Sequence, residues 1–566
     1  MSSKKHMTMK KLYTIATTLF LSIASIQAQN IIDIVDADLV AGQTYNWTKN
    51  NVYVLDGVVF LEDGGTLNIE AGTVVKFTPR ADVGNPSALV ICRGAKIFAT
   101  GTASEPIIFT AEDDDVTDAE DLGPTDNALW GGIVLLGKAY TIKNGNTEVN
   151  VEGIPTTEPR GVYGMPAGSN VDTDNSGILR YVSIRHGGRQ IASGSELNGL
   201  TLGAVGSATT VEYVEIYANS DDGIEFFGGK VNVKYAAVAF TEDDSFDWDE
   251  SWAGKGQFWF SIQRDDIADA GWECDGSTPD DLTPSSDPIV FNGTHIGSGP
   301  AAAAANPIGW LFRAGTKGYI ANSIVTEMKG KGIEVQDKPS VSTDAYAQLL
   351  AGELIIKNNL FYNIGSTTVI DGSANGIIRI TASADDATAS ALITHLTNNS
   401  NQIANPVIYG ISRTQDGMLD PRPSGTGPAY TTSLDAYPSG DAFFTPVNYK
   451  GAFSTASTDL WLSGWSSLAK NGHLVNVTGL NEYNNVLNSL MLYPNPTKGI
   501  LNMAFESDNK VLVQIMNAQG QLVKTLNNQN AAGNLQTIDV SELSKGLYLI
   551  SFTSENKQYS KKLIIE

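Results

Sequence analysis

Cysteine, histidine and basic residues are all scarce in this chain of 566 residues. Its two cysteines, Cys92 and Cys274, are too few for a disulfide framework. Both sit in strand-like runs and read as buried free thiols. Five histidines, with no CxxC or HExxH spacing, leave little from which to build a zinc site. Lys and Arg total 37 against 62 Asp and Glu, a formal charge of −25. That balance excludes the basic footprint of nucleic-acid binding and any pull toward anionic membrane surfaces. Also missing is a run of about 20 apolar residues able to cross a bilayer as a helix.

What is present is apolar residues at 42% and 56 glycines, with charged residues at only 17%. This profile suits a turn-rich all-β chain. The length fits several domains of roughly 100–200 residues, or one long repeat stack with smaller pieces. The acidic excess fits an extracellular surface or divalent-cation binding.

Both ends read as export addresses. Lys4, Lys5, Lys10 and Lys11 precede a short apolar core, Leu12 to Ile26, and Gln27-Ala28-Gln29 offers cleavage after Ala28. Residues 1–28 are thus expected to be a secretory signal peptide. No cysteine lies near the cleavage point, so lipid anchoring is not indicated. From about Leu490, LMLYPNPTKGILNMAF, VLVQIMNAQGQLVKT and LSKGLYLISFTSENKQYSKKLIIE alternate strands with turns. A unit of this size predicts a small β-sandwich. The stretch resembles the type A C-terminal sorting domain of the type IX secretion system of Bacteroidetes. The residues that carry the resemblance are Tyr493, Pro494, Asn495, Pro496, Gly499, Asn517 to Gly520, Gly546, Leu547, Tyr548 and the Lys561-Lys562 ending. It implies handling by the type IX machinery at the outer membrane and a surface-attached or released product.

The middle predicts a parallel β-helix. GTLNIEAGTVVKF (Gly65 to Phe77) and ALVICRGAKIFATG (Ala88 to Gly101) are short strands with glycine corners. A shift of 22 residues lays SDDGIEFFG, from Ser220, over EDDSFDWDE, from Glu242. Asp221 then falls on Asp243, Asp222 on Asp244, Glu225 on Asp247, and the strand from Tyr213 on that from Tyr235. Asn198–Leu202, Asp269–Glu273 and Lys331–Val335 continue the pattern. The stretch from Trp130 to about Phe361, with NGLTLGAVGSATTVEYVEI and WLFRAGTKG, also resembles a group of secreted Bacteroidetes proteins of unassigned function. That resemblance implies a right-handed β-helix and no particular activity. The expected layout is β-helix over 29–410, an irregular Pro/Gly-rich segment and solenoid cap over 411–476, a linker over 477–488, and the sorting domain over 489–566.

Stacked coils place equivalent residues about 4.8 Å apart. The repeat therefore brings Asp221, Asp222, Glu225, Asp243, Asp244 and Asp247 into close columns, which need protonation, water or a bridging cation. Calcium, which takes carboxylate and carbonyl oxygens, is the expected cation; no organic cofactor is expected. Period two sends Ile224, Phe226, Phe246 and Trp248 inward and Glu225 and Asp247 outward. Trp252 and Trp259 are candidate platforms for sugar rings. Asp222, Asp244 and Asp247, with His186, Arg185 and Arg264, are candidates for catalysis in a polysaccharide lyase or hydrolase acting on an acidic polysaccharide. No complete signature of either enzyme is present, so the expectation leans to a calcium-stabilised surface protein that binds glycan or serves adhesion.

Overall fold

Short β-branched strands with glycine and asparagine corners cannot bury a face alone, so they stack. The computed structural model describes residues 29–80, 84–192, 195–304, 307–338, 340–365, 370, 377–381, 386–455, 460–475, 491–493, 495–504, 511–517, 521–529, 536–554 and 557–566. Within them, successive coils pair in parallel. One sheet holds ten short strands, running from Val58–Leu61 through Ile224–Phe227 and Phe246–Asp249 to Ile378–Thr381. Two further ladders are joined because long strands such as Thr210–Tyr217 and Asn232–Ala239 bend from one into the other.

The 22-residue repeat is the pairing register itself: Ile224 pairs with Phe246, Glu225 with Asp247 and Phe226 with Trp248. The less regular matches hold as well. Leu200 pairs with Ile224, and Trp272 pairs with Phe246 on one side and Trp310 on the other. Ile333 pairs with Trp310. The protein is an all-β parallel β-helix. Ile224, Phe226, Phe246 and Trp248 are fully buried inside it, as their alternation predicts.

The bend between the joined ladders needs a left-handed residue in each coil. Tyr181, Tyr213, Tyr235 and Phe258 take it at φ 49°, 53°, 56° and 58°. Asn292, Asn322 and Asn358 follow at 58°, 55° and 55°. Asparagine visits this region readily, whereas an aromatic residue there is strained by roughly 1–2 kcal/mol. Stacking offsets part of that cost: the Tyr181–Tyr213 and Tyr213–Tyr235 ring centroids are 4.4 Å apart, and those of Tyr235 and Phe258 4.8 Å.

The stack ends differently from the sequence expectation. Helices α1 (Ala345–Ala351) and α2 (Asp386–Asn398) add Ala345, Leu349, Leu392 and Leu396 to the core of the last coils. The segment expected over 411–476 as irregular structure and a cap is described over 411–455 and 460–475, and there it runs lengthwise along the outside of the coils. Its Ser433 hydroxyl and Asp435 and Tyr449 backbones bond Asn358, Asn322 and Asn292 of the asparagine corner. Farther back, Trp461 packs on Tyr213 and Tyr235, and Ser467 reaches Ser183. The correction has a simple cause. The apolar outer face formed by Tyr217, Ala237, Ala239, Phe258 and Phe260 needs cover, and Phe453, Leu462, Trp465 and Leu468 supply it.

The C-terminal unit has two antiparallel sheets, of three and four strands. Leu501, Val513, Ile515, Ile538, Tyr548 and Leu563 fill its core. Asn495 fastens the entry to the last strand, accepting from Ile564 N at 2.9 Å and donating to Lys562 O at 2.8 Å. The Tyr548 hydroxyl donates to Ser544 O at 2.8 Å, and Gly499 and Gly546 sit at φ 146° and 153°. The expected signal peptide, the linker 477–488, Pro494 and Gly520 lie outside the described residues. Among the described residues no helix is long and apolar enough to cross a membrane.

Candidate cation-binding site

The turns before the strands Ile224–Phe227 and Phe246–Asp249 carry the paired aspartates, and the strands then present Glu225, and Asp247 with Asp249, on their outer side. Stacking joins them into three interlocking groups: Asp221, Asp222 and Asp243; Asp222, Glu225 and Asp247; and Asp243, Asp244 and Asp269. Within each group the carboxylate oxygens lie within 4.8 Å of one another. All six acids expected from the repeat are therefore brought together. Asp269 adds a seventh; its alignment with Asp243 in the repeat already carried that signal.

Backbone bonds fix the floor. Asp244 N donates to Asp222 Oδ1 at 2.9 Å, and Ala270 N donates to Asp244 Oδ1 at 2.5 Å. Each aspartate thus ties its turn to the next coil with one oxygen and keeps the other for the cluster. Glu225 accepts from the Asn198 side chain. Asp247 Oδ1 is buried and accepts no hydrogen bond.

The outer column points away from the core, as period two requires, yet Glu225 is only 8% exposed. Asp243 and Asp269 form the accessible side. The charge of Glu152, from the loop over 144–176, adds to Asp221 and Glu225, and that of Glu196 adds to Asp221 and Asp243. These two acids belong to insertions outside the coil period, and no repeat signals them.

Burial, reinforced by neighbouring carboxylates, pushes the whole set toward the protonated form. Asp221 and Asp247 rise to about 8 and Asp243 to about 6. Asp222, Glu225 and Asp244 lie well above the carboxylate range. Nearby cations are already engaged. Arg313, which faces Asp243 and Asp247, holds Asp275 at 2.8 and 2.9 Å and also contacts Glu273. Lys143 is 2.8 Å from Glu250, which is fully buried and accepts from the Tyr163 hydroxyl at 2.6 Å. Such a site, all hard oxygen donors with excess negative charge, matches what calcium requires.

The other candidate residues lie elsewhere. His186 is a left-handed corner residue at φ 62°, its Nδ1 2.5 Å from Asp126 O, and burial lowers its pKa. Asp114, Arg185 and Asp126 act on it electrostatically, and none belongs to the cluster. Arg185 bonds Ser183 Oγ at 3.0 Å beneath the outer segment. Arg264 is forked onto Asp266 and also pairs with Glu242.

Trp252 and Trp259 correct the expectation of open sugar platforms, since both are fully buried. Trp252 stacks on Phe226 at 4.2 Å and Trp259 on Phe246 at 4.5 Å. The corner at Phe258 resets the alternation, which turns Trp259 inward. Trp252 folds over the core from the turn after Asp249.

Comparison with known proteins agrees with this geometry. Residues 40–404 match the pectate-lyase-like β-helix domain family, and residues 491–566 match the secretion system C-terminal sorting domain. No curated protein matches the chain. The first match spans more than half of the sequence, and the chain belongs to the pectate-lyase-like β-helix family. The sorting domain marks it for type IX export to the cell surface or the extracellular space.

Proposed function

We propose that this exported β-helix protein is stabilised by calcium and works outside the cell in glycan binding or adhesion, without catalysis. The observation that carries this reading is the set of interlocking carboxylate groups, buried on one side and short of cations. Asp221, Asp222 and Asp243 would hold one ion, and Glu225 and Asp247 would join Asp222 around another. The ion's role is to cancel charge between neighbouring coils, so that the stack closes with its acids ionised. Calcium is plentiful outside the cell, where the sorting domain sends the chain.

Arg313 bears on the alternative of a lyase. Its guanidinium is taken up by Asp275 and Glu273 and is not free to approach a substrate. Buried Asp222 and Asp244 likewise lie beneath the surface that a polysaccharide could reach.

Thermal unfolding in 1 mM calcium and in chelator tests the reading. Ligand at 100 times its dissociation constant stabilises by about 2.7 kcal/mol. For a β-helix of this length the expected rise in midpoint is about 3 °C. Equal midpoints in the two conditions overturn the cation assignment.

A further inference from the structure

The strand Phe246–Asp249 has the acidic turn at its start and a second concave feature beyond its end. Loops from several successive coils enclose there a cavity of about 510 Å³. That volume lies in the range of small-molecule sites. Its walls are tied down from below. Ser285 Oγ donates to Gly315 O at 2.7 Å, Ser251 Oγ donates to Pro284 O, and Asp287 N donates to Trp252 O at 2.9 Å. Tyr140 N donates to Asp172 Oδ1 at 3.1 Å, which sets the opposite wall.

Other groups lining the cavity are left for a ligand. The Tyr140 hydroxyl, the Lys230 ammonium and the Gln348 amide have no hydrogen-bond partner among the described residues. Lys317 is paired with Glu353 at 3.0 Å, and Asp280 takes Lys338 at 3.0 Å. Lys230 then stands against Asp287, whose carboxyl it influences directly. The cavity thus offers donors and acceptors with one carboxylate, Asp172, in excess of its cations, beside the flat ring of Tyr140 and the apolar edges of Leu282 and Pro284. None of the carboxylate groups suited to a metal lies here among the described residues.

We propose that this cavity binds a neutral oligosaccharide of two or three sugar units. Sugar hydroxyls both donate and accept, which the mixed lining matches, and a cavity with one acid in excess gives no preference to acidic sugars. This inference rests on the glycan-binding reading above and gives it a location, distinct from the acidic cluster.

The test uses the full chain in calcium, first on a glycan array. Isothermal titration with maltotriose, cellotriose, xylotriose, mannotriose and, as the acidic counterpart, trigalacturonate then follows. At least one neutral trisaccharide should bind, and Lys230→Ala and Gln348→Ala should each weaken it fivefold or more. Gln348→Ala should keep the wild-type melting midpoint, because its amide has no hydrogen-bond partner to lose among the described residues, and Lys230→Ala, which takes a positive charge from beside Asp287, should lower it only slightly. Binding that neither variant alters overturns the cavity assignment and leaves the glycan-binding reading standing. A preference for trigalacturonate overturns the neutral-sugar assignment. Silence on the array and in every titration overturns the glycan-binding reading and the cavity together.

Discussion

The β-helix buries charge on two of its outer faces and treats it in opposite ways. Under the outer segment, fully buried Glu215 accepts from Ser467 N at 2.5 Å, Leu468 N at 3.1 Å and Ser183 Oγ at 2.7 Å. Buried Lys450 donates to the carbonyls of Asn358 and Ser433. The chain supplies the partners of both of these charges. At the acidic turns, carboxylates face carboxylates, and Asp247 Oδ1 has no partner. An unmet buried polar group costs about 1–3 kcal/mol, and more when charged. One face therefore meets these buried charges from within the chain, and the other, on the calcium reading proposed above, is completed by the ion.

Three substitutions or conditions probe this contrast. The largest effect is expected from Glu215→Ala, which leaves two backbone donors and a hydroxyl unmet. It should destabilise by about 3 kcal/mol and open the outer segment to protease. The loss should be the same in calcium and in chelator. If calcium changes it, the two faces are coupled and the contrast fails. A smaller effect, of about 1 kcal/mol, is expected from Asp222→Asn, with a sign that depends on the medium. The amide oxygen can still accept from Asp244 N, so the bond between coils survives. In chelator the variant should melt higher than wild type, because an amide needs neither a buried charge nor the uptake of a proton on folding. In calcium it should lose at least half of the calcium-induced rise, since Asp222 belongs to two of the three groups. Destabilisation in both media would give Asp222 a purely structural role.

The two faces also differ in how far their sequence discloses them. The six clustered acids were legible because the coils there have equal length, so one shift of 22 residues reproduces the pairing. The outer segment has no period to read. Its partners are corner asparagines such as Asn292 and Asn322, far away in sequence, and its Pro/Gly composition gives only irregularity. The inward turn of Trp259 was not legible, because it depends on a left-handed corner at Phe258 that no sequence pattern marks. Helix α2 went unread inside a stretch taken for further coils. Glu152 and Glu196 stand on insertions whose course is set by packing on the outer face, near Leu197 and Val151.

The effect sharpest in sign is expected from pH. In the acidic turns the folded values, about 6 for Asp243 and about 8 for Asp221 and Asp247, exceed the unfolded value near 3.9. Without metal, their contribution is full below about pH 4 and is lost as pH rises through 6 to 8. Lys450 runs the other way. Burial lowers it to about 7, below the unfolded value near 10.4, so the unfolded chain binds its proton more tightly. Its penalty is full below about pH 7 and fades as pH climbs toward 10, by at most about 1.4 kcal/mol per unit. Between pH 7 and 9 in chelator, the acidic turns should loosen while the outer segment tightens. Hydrogen exchange, corrected for intrinsic rates, reads the two separately at residues 220–247 and 433–451. Calcium should abolish the first trend, because metal-bound carboxylates stay ionised, and leave the second untouched. A common direction in both segments would mean that the solenoid responds as one cooperative unit, and the division between the two faces would not hold.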